Sequence, residues 1–250
     1  MTGLRALAAA VVVAAPLGMA SKAEASPIAV GLQLVLAVDV SGSVDATEYA
    51  LQKGGYVNAF NNAAIQAAIA ATPGGVGVTY VEWSGAAQQA QLVGWTHLTD
   101  AASSSAFATA VAGTSRAFSG LTSISGAIDF SAALFDTVFT SGRKVIDISG
   151  DGTNNDGGSV TVARDAAVGA GITINGLAIG GTGLLTYYTD NVIGGTGAFA
   201  LQAATFADFE SAVTTKLFRE ITGVPEPTTL ALLGFGLAAL GMAARRRKAA

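Results

Sequence analysis

The stretch Leu32-Gln-Leu-Val-Leu-Ala-Val-Asp39-Val-Ser41-Gly-Ser43 decides how this 250-residue chain is read. Leu32 to Val40 is an apolar run ending in an acid, the pattern of a strand buried on both faces of a parallel sheet. Asp45-Ala-Thr-Glu48 follows with the spacing of a capping box and predicts a helix that runs to about Ala71. Tyr49, Tyr56 and Phe60 fall roughly on one stripe of that helix, and Pro73-Gly74-Gly75 stops it.

Outward from there, apolar runs and helical spacings alternate. Val76–Trp83 and Gln89–Leu98 read as strands joined in a hairpin through Ser84-Gly85. Asp100–Val111 reads as a helix, and Gly113–Ser123 as a loop. Ile124, Ile128, Phe135 and Val138 recur at helical spacing. Lys144–Ser149 is a fourth strand, followed by the polar loop Gly150–Ser159, a helix over Val160–Ala170 and a strand over Ile172–Ile179. Ala198–Gln202 reads as a short last strand. Phe206, Phe209, Val213, Leu217 and Ile221 mark an amphipathic terminal helix. Gly-Gly-Thr-Gly at 180–183 and again at 194–197 is read as a turn in both places. The alternation predicts an α/β fold, a doubly wound, mostly parallel sheet flanked by helices.

Both ends read as addresses. Arg5 precedes an apolar run from Leu7 to Met19, and Ala23-Glu24-Ala25 places small residues where signal peptidase needs them, predicting cleavage after Ala25. At the other end Pro225-Glu226-Pro227 precedes an uncharged run, Thr228 to Ala244, and then Arg245-Arg246-Arg247-Lys248. The run is about the minimum for spanning hydrocarbon as a helix, and the basic cluster favours the cytoplasmic side. The chain thus divides into a signal peptide (1–25), one domain (26–223) and a C-terminal segment (224–250).

Composition narrows the function. Without cysteine, disulfides, thiolate catalysis and thiolate metal sites are excluded. Residues 26–223 carry 7 basic and 15 acidic side chains, a net charge of −8. Such a surface repels phosphate backbones, which argues against nucleic-acid binding, and is compatible with cation binding.

In doubly wound sheets, ligands sit outside the carboxyl ends of the strands where strand order reverses. In the usual order that point lies between the first strand, ending at Asp39, and the fourth, just before Asp151. Two carboxylates then converge on one crevice. Ser41 and Ser43 add hard neutral oxygens, suited to Mg²⁺, Ca²⁺ or Mn²⁺. The plainer alternative is that Asp39, Ser41 and Ser43 only cap the next helix.

Asp39-x-Ser41-x-Ser43, then Thr122 in a mid-domain loop, then Asp151-Gly152 after the fourth strand, resembles the von Willebrand factor A domain and its metal-ion-dependent adhesion site (MIDAS). The resemblance covers roughly Leu32 to Ile221. It implies direct coordination by Ser41 and Ser43, largely water-mediated coordination by Asp39 and Asp151, and either mode for Thr122. Ser123 and Ser125 lie within reach of the same role. Mg²⁺ is the foremost expected ion, and the implied partner is a protein that offers a carboxylate to it. The particular version resembles a bacterial group of exported A-like domains of unknown function, DUF1194. Ser149-Gly150 departs from the Leu-Thr or similar pair that many A domains place before this aspartate.

The C-terminal order of Pro225-Glu226-Pro227, apolar span and arginines resembles the PEP-CTERM sorting signal. It implies processing by an exosortase and an exported protein of a Gram-negative-type bacterium, anchored in the membrane or released to the surface. A plain membrane anchor is the alternative.

Other candidates are weaker. His97, the only histidine, sits on an edge strand with no nucleophile-elbow sequence in the chain. The loop from Asp151 to Asp156 is not an EF-hand, because Val162 stands where the glutamate is needed. Asp156 reads as a solvated loop acid, Asp147 as one inward acid with a backbone partner, and Tyr187-Tyr188 as packing. Three functions stay open: a binding module, which the pattern favours; a metal-dependent hydrolase; and a purely structural matrix protein.

Overall fold

The computed structural model describes residues 27–223. The signal peptide, its cleavage site at Ala23 and Ala25, and the tail with Pro225, Glu226 and Pro227 lie outside the described residues. Among the described residues no helix is long and apolar enough to cross a membrane.

Six strands form the central sheet: β2 (Leu32–Asp39), β3 (Val76–Trp83), β4 (Gln89–Leu98), β6 (Lys144–Gly150), β7 (Ile172–Ile179) and β8 (Ala200–Ala203). Their spatial order is β4-β3-β2-β6-β7-β8, parallel throughout except for β4, which returns antiparallel to β3. A two-residue strand β1 (Ile28–Ala29) pairs with an equally short β5 (Phe139–Thr140) beside this sheet. Two residues show no period, and the sequence does not announce them.

Alternation along β2 divides the core. Leu34, Leu36 and Val38 face a cluster built with α1 (Ala46–Asn61), α2 (Ala63–Ala71), α3 (Ala101–Ala112) and α7 (Phe209–Thr222). Val35 and Ala37 face the other cluster, under α4 (Ile124–Ala132) and α5 (Val160–Gly169). All eight residues of β2 are buried, as a strand covered on both faces requires. α6 (Thr182–Tyr187) runs into a π-turn at Tyr188–Val192 on the second face.

The expected capping box is present: the Asp45 carboxylate accepts from the amides of Thr47 and Glu48, and Glu48 reaches back to the Asp45 amide. The helix it starts does not run unbroken to Ala71. Asn62 splits it, because its amide closes α1 on the Ala59 carbonyl while its side chain accepts from the Ala64 amide to start α2. The helix from Ile124 ends at Ala132, so Phe135 and Val138 are not on it. Phe135 still packs into the core, whereas Val138 is exposed. The first Gly-Gly-Thr-Gly is also not a simple turn: Gly181 is the N-cap of α6, and Thr182 and Gly183 are helical. The second copy is a turn, with Gly195 and Gly197 at positive φ.

Asp147 differs from expectation. Its partner is a lysine, not backbone. Lys216 of α7 reaches the sheet and lies 2.6 Å from both Asp147 Oδ1 and Glu220 Oε1, and neither Lys216 nor Asp147 has solvent exposure. Asn175 Nδ2 donates to the same Glu220 oxygen. Burial pushes both carboxyls upward, and the ammonium opposes it. Removing one partner of such a group leaves uncompensated buried charge. Lys216→Ala is therefore expected to lower the unfolding free energy by about 3–5 kcal/mol. Urea unfolding curves measure it, and a change within error would mean that the acids are not held as ions.

Candidate metal centre

The carboxyl ends of β2 and β6 are neighbours in the sheet, and strand order reverses between them. β2 ends on Asp39, and Asp151 directly follows β6. The Asp39 carboxylate is wholly buried. Its Oδ1 accepts from the Ser41 amide at 2.8 Å, which folds the loop back over the strand end. Its Oδ2 is buried without a hydrogen-bond partner.

The other members close round this carboxylate. Ser41 Oγ lies 3.1 Å from Ser43 Oγ, and Ser43 Oγ donates to Asp151 Oδ1 at 2.7 Å. Thr122 is buried, and its hydroxyl faces the turn at Gly152, 3.8 Å from where a Cβ on that glycine would stand. Ser43, Thr122 and Asp151 line one cavity of about 460 Å³, together with Gly42, Gly152 and Asn155. Ser123 is turned elsewhere: it caps α4 by accepting from the Gly126 amide, and its hydroxyl pairs with that of Ser125. The structure thus brings Asp39, Ser41, Ser43, Thr122 and Asp151 to one rim, while Ser123 caps α4 and the Ser125 hydroxyl pairs with that of Ser123.

Three polar contacts that the sequence does not reveal hold these loops. Arg116 Nη2 donates to the carbonyls of Val40 and Ser41, both at 2.8 Å. Ser84 accepts from the Gly120 amide and donates to the Leu121 carbonyl. Asn155 Oδ1 accepts from the Thr122 amide, while the Asn155 amide returns a bond to the Thr122 carbonyl. Only the polar run Thr153-Asn-Asn-Asp hinted at the last of these. Asp156 ties the same loop to the β3–β4 turn by accepting from the Ala86 amide.

Gly150 has a steric reason. A Cβ there would stand 2.8 Å from Asp39 Oδ2 and 2.7 Å from the Tyr188 hydroxyl, so no larger residue fits beneath the carboxylate. Tyr188 is itself buried in the second core cluster. Tyr187 Oη accepts from the Asn154 amide. His97 stands at the opposite end of the sheet, paired with Gly77 and bonded to the Gly74 carbonyl.

Electrostatics follow from this burial. Desolvation pushes Asp39 up to about 7, against the lowering effect of its bonds to Ser41. Asp151 is raised by burial and by Glu48, and lowered by Ser43. Two carboxylates raised in this way, one with an orphaned oxygen, form an anionic cradle with hydroxyl oxygens around it. That donor set fits a hard divalent cation. Among the described residues no group of three or more His, Cys, Asp or Glu gathers to hold a metal, and here only Asp39 and Asp151 supply carboxylates, so the remaining donors are the hydroxyls.

Solved structures share this fold. The proximal thread matrix protein 1 of the mussel byssus, in a form with a zinc-occupied MIDAS motif, superposes with a TM-score of 0.55 at 17% identity, covering 78% of this chain and 46% of that one. The pilus adhesin SpaC of Lactobacillus rhamnosus GG gives 0.57 at 15% identity, over 77% and 30% of the two chains. A von Willebrand factor type A protein of Catenulispora acidiphila gives 0.55 at 15% identity, over 77% and 43%. The chain therefore spans half or less of the length of these proteins, and the likeness is one of fold. No curated protein matches the sequence. The model of the PEP-CTERM protein-sorting motif matches residues 223–248, which marks an exported, envelope-targeted chain and implies exosortase processing. The model described as protein of unknown function (DUF1194) matches residues 29–225, so this von Willebrand A-like chain belongs to the DUF1194 family.

Proposed function

We propose that the domain is an exported binding module that holds one divalent cation, Mg²⁺ foremost, through Asp39, Ser41, Ser43, Thr122 and Asp151. The observation that carries this is the buried Asp39 oxygen without a partner, in a cradle of hydroxyls at the switch point. A buried carboxylate oxygen left bare costs several kcal/mol, and a cation is the natural counter-charge. Calcium and manganese suit the same oxygen set, and the zinc in the mussel protein's motif supports a divalent ion there.

The ion would supply an electrostatic anchor. These five side chains do not saturate a hard cation when two of them act through water, so a carboxylate from a protein partner can complete it. An acidic sugar of extracellular polysaccharide offers the same group. Residues 1–25 would direct export, 26–223 would form the module, and 224–250 would tether it to the membrane until an exosortase acts.

Two measurements test the site. Mg²⁺ at a hundred times its Kd is expected to stabilise the domain by about 2.7 kcal/mol, seen as a raised melting temperature that EDTA reverses and Asp151→Ala abolishes. A melting temperature indifferent to Mg²⁺, Ca²⁺ and Mn²⁺ overturns the proposal. Retention of an envelope protein in Mg²⁺ but not in EDTA reports the binding role.

The second measurement uses pH. The folded carboxyl of Asp39 takes up a proton below about 7, whereas the unfolded one does so near 3.8. Between those values the folded state binds more protons, so in EDTA this group makes the domain less stable as pH rises from about 4 to about 7. Asp39→Asn is expected to remove that slope, stabilising the EDTA-treated protein at pH 8 by a few kcal/mol while losing the response to Mg²⁺. A variant less stable than the parent at pH 8 in EDTA contradicts the assignment.

A further inference from the structure

A second cavity, of about 450 Å³, opens at the other end of the sheet, where β6 and β7 begin. Three of the seven basic residues of the domain line it: Arg143, Lys144 and Arg219. Lys144 is neutralised by Asp136. Arg143 has no carboxylate partner among the described residues and donates to the Glu220 and Ile221 carbonyls at the end of α7. Arg219 Cζ lies 3.7 Å from the centroid of the Phe199 ring, and among the described residues no acid or carbonyl takes its N–H groups. Glu220, the acid in the lining, is engaged through Oε1 by Lys216 and Asn175, while its Oε2 is buried without a hydrogen-bond partner. In a domain of net charge −8, the Arg219 guanidinium and the remaining N–H groups of Arg143 meet no anion among the described residues.

The chain itself delivers one. Gly223 lines this cavity and ends α7 in the left-handed conformation, its amide bonded to the Arg219 carbonyl. A Cβ on Gly223 would stand 3.2 Å from Arg143 Nη2, so the chain leaves the domain beside that guanidinium. Glu226 follows three residues later, within about 10 Å of extended chain. Val224 and Glu226 each precede a proline, which restricts them to extended backbone and lowers the entropy lost on docking.

We propose that Glu226 of the sorting motif docks in cis on this rim, its carboxylate held by Arg219 and Arg143. Guanidinium–carboxylate pairs of this kind are the strong, oriented ones. The motif is then held at the end of the domain remote from Asp39 and Asp151. Its release from Arg219 precedes any capture by a processing enzyme. This inference is independent of the metal centre.

The chain has no cysteine, so a disulfide trap reads the docking directly. Thr196, exposed on the cavity wall, and Thr228, two residues past Glu226, are replaced by cysteine in the full chain in detergent micelles, and the initial rate of cross-linking by diamide is followed. Glu226→Gln and Arg219→Glu are each expected to slow the reaction about tenfold, the equivalent of ~1.4 kcal/mol. The exchange Arg219→Glu with Glu226→Arg should restore the rate. Glu226 lies outside the described residues, and its replacement by glutamine alters none of the contacts described for the domain. Equal rates in all four proteins overturn the proposal. So does slowing by Arg219→Glu alone, or slowing in both single variants with no recovery in the exchange.

Discussion

The Asp39 carboxylate stands at the one place where neighbouring parallel strands lead away in opposite directions, and the loops of this rim are built around it. One oxygen is spent on the Ser41 amide, which turns the chain back toward Ser43. The other is buried and bare. The surroundings concede room to it: Gly150 gives up a side chain so that β6 can pass beneath. A domain that keeps such an oxygen dry carries a standing electrostatic cost, which a bound cation would turn into binding free energy.

Geometry at the rim is fixed by bonds between loops that are far apart in sequence. Arg116 fastens the Asp39–Ser43 loop from the α3–α4 connection, Ser84 fastens that connection to the end of β3, and Asn155 joins it to the loop after β6. The hydroxyls and carboxylates are thereby held in place by side chains that need touch no ion. Such preorganisation reduces the ordering cost of binding. On the helical face the same sheet is tied to α7 by Lys216 between Asp147 and Glu220. The strand that leads to Asp151 is thus anchored both at its rim and midway along its length.

Charge is sorted along the strand axis. The acids of the candidate metal centre gather where the parallel strands end, and Arg143 and Arg219, without a carboxylate partner among the described residues, gather where β6 and β7 begin. The chain enters its sorting segment from the basic end, past Gly223. The candidate metal rim and Gly223, where the described chain ends, therefore lie at opposite ends of the sheet.

The sequence by itself determined the alternation of strands and helices, the capping box at Asp45, and the order of Asp39, Ser41, Ser43, Thr122 and Asp151. Each of these is written in a local period or a short spacing. It left open which hydroxyl follows the mid-domain loop, because Thr122, Ser123 and Ser125 are chemically alike and adjacent. In the folded chain Ser123 accepts from the Gly126 amide and caps α4, whereas the Thr122 hydroxyl faces Gly152. Tertiary structure decided that Asp147 meets a lysine and that Gly150 must be bare, and it revealed that Asn62 breaks a helix. The helix break at Asn62 is made by local contacts with Ala59 and Ala64, but the Asp147–Lys216 pair and the close approach at Gly150 depend on atoms from distant segments, and no period in one segment reports what will pack against it.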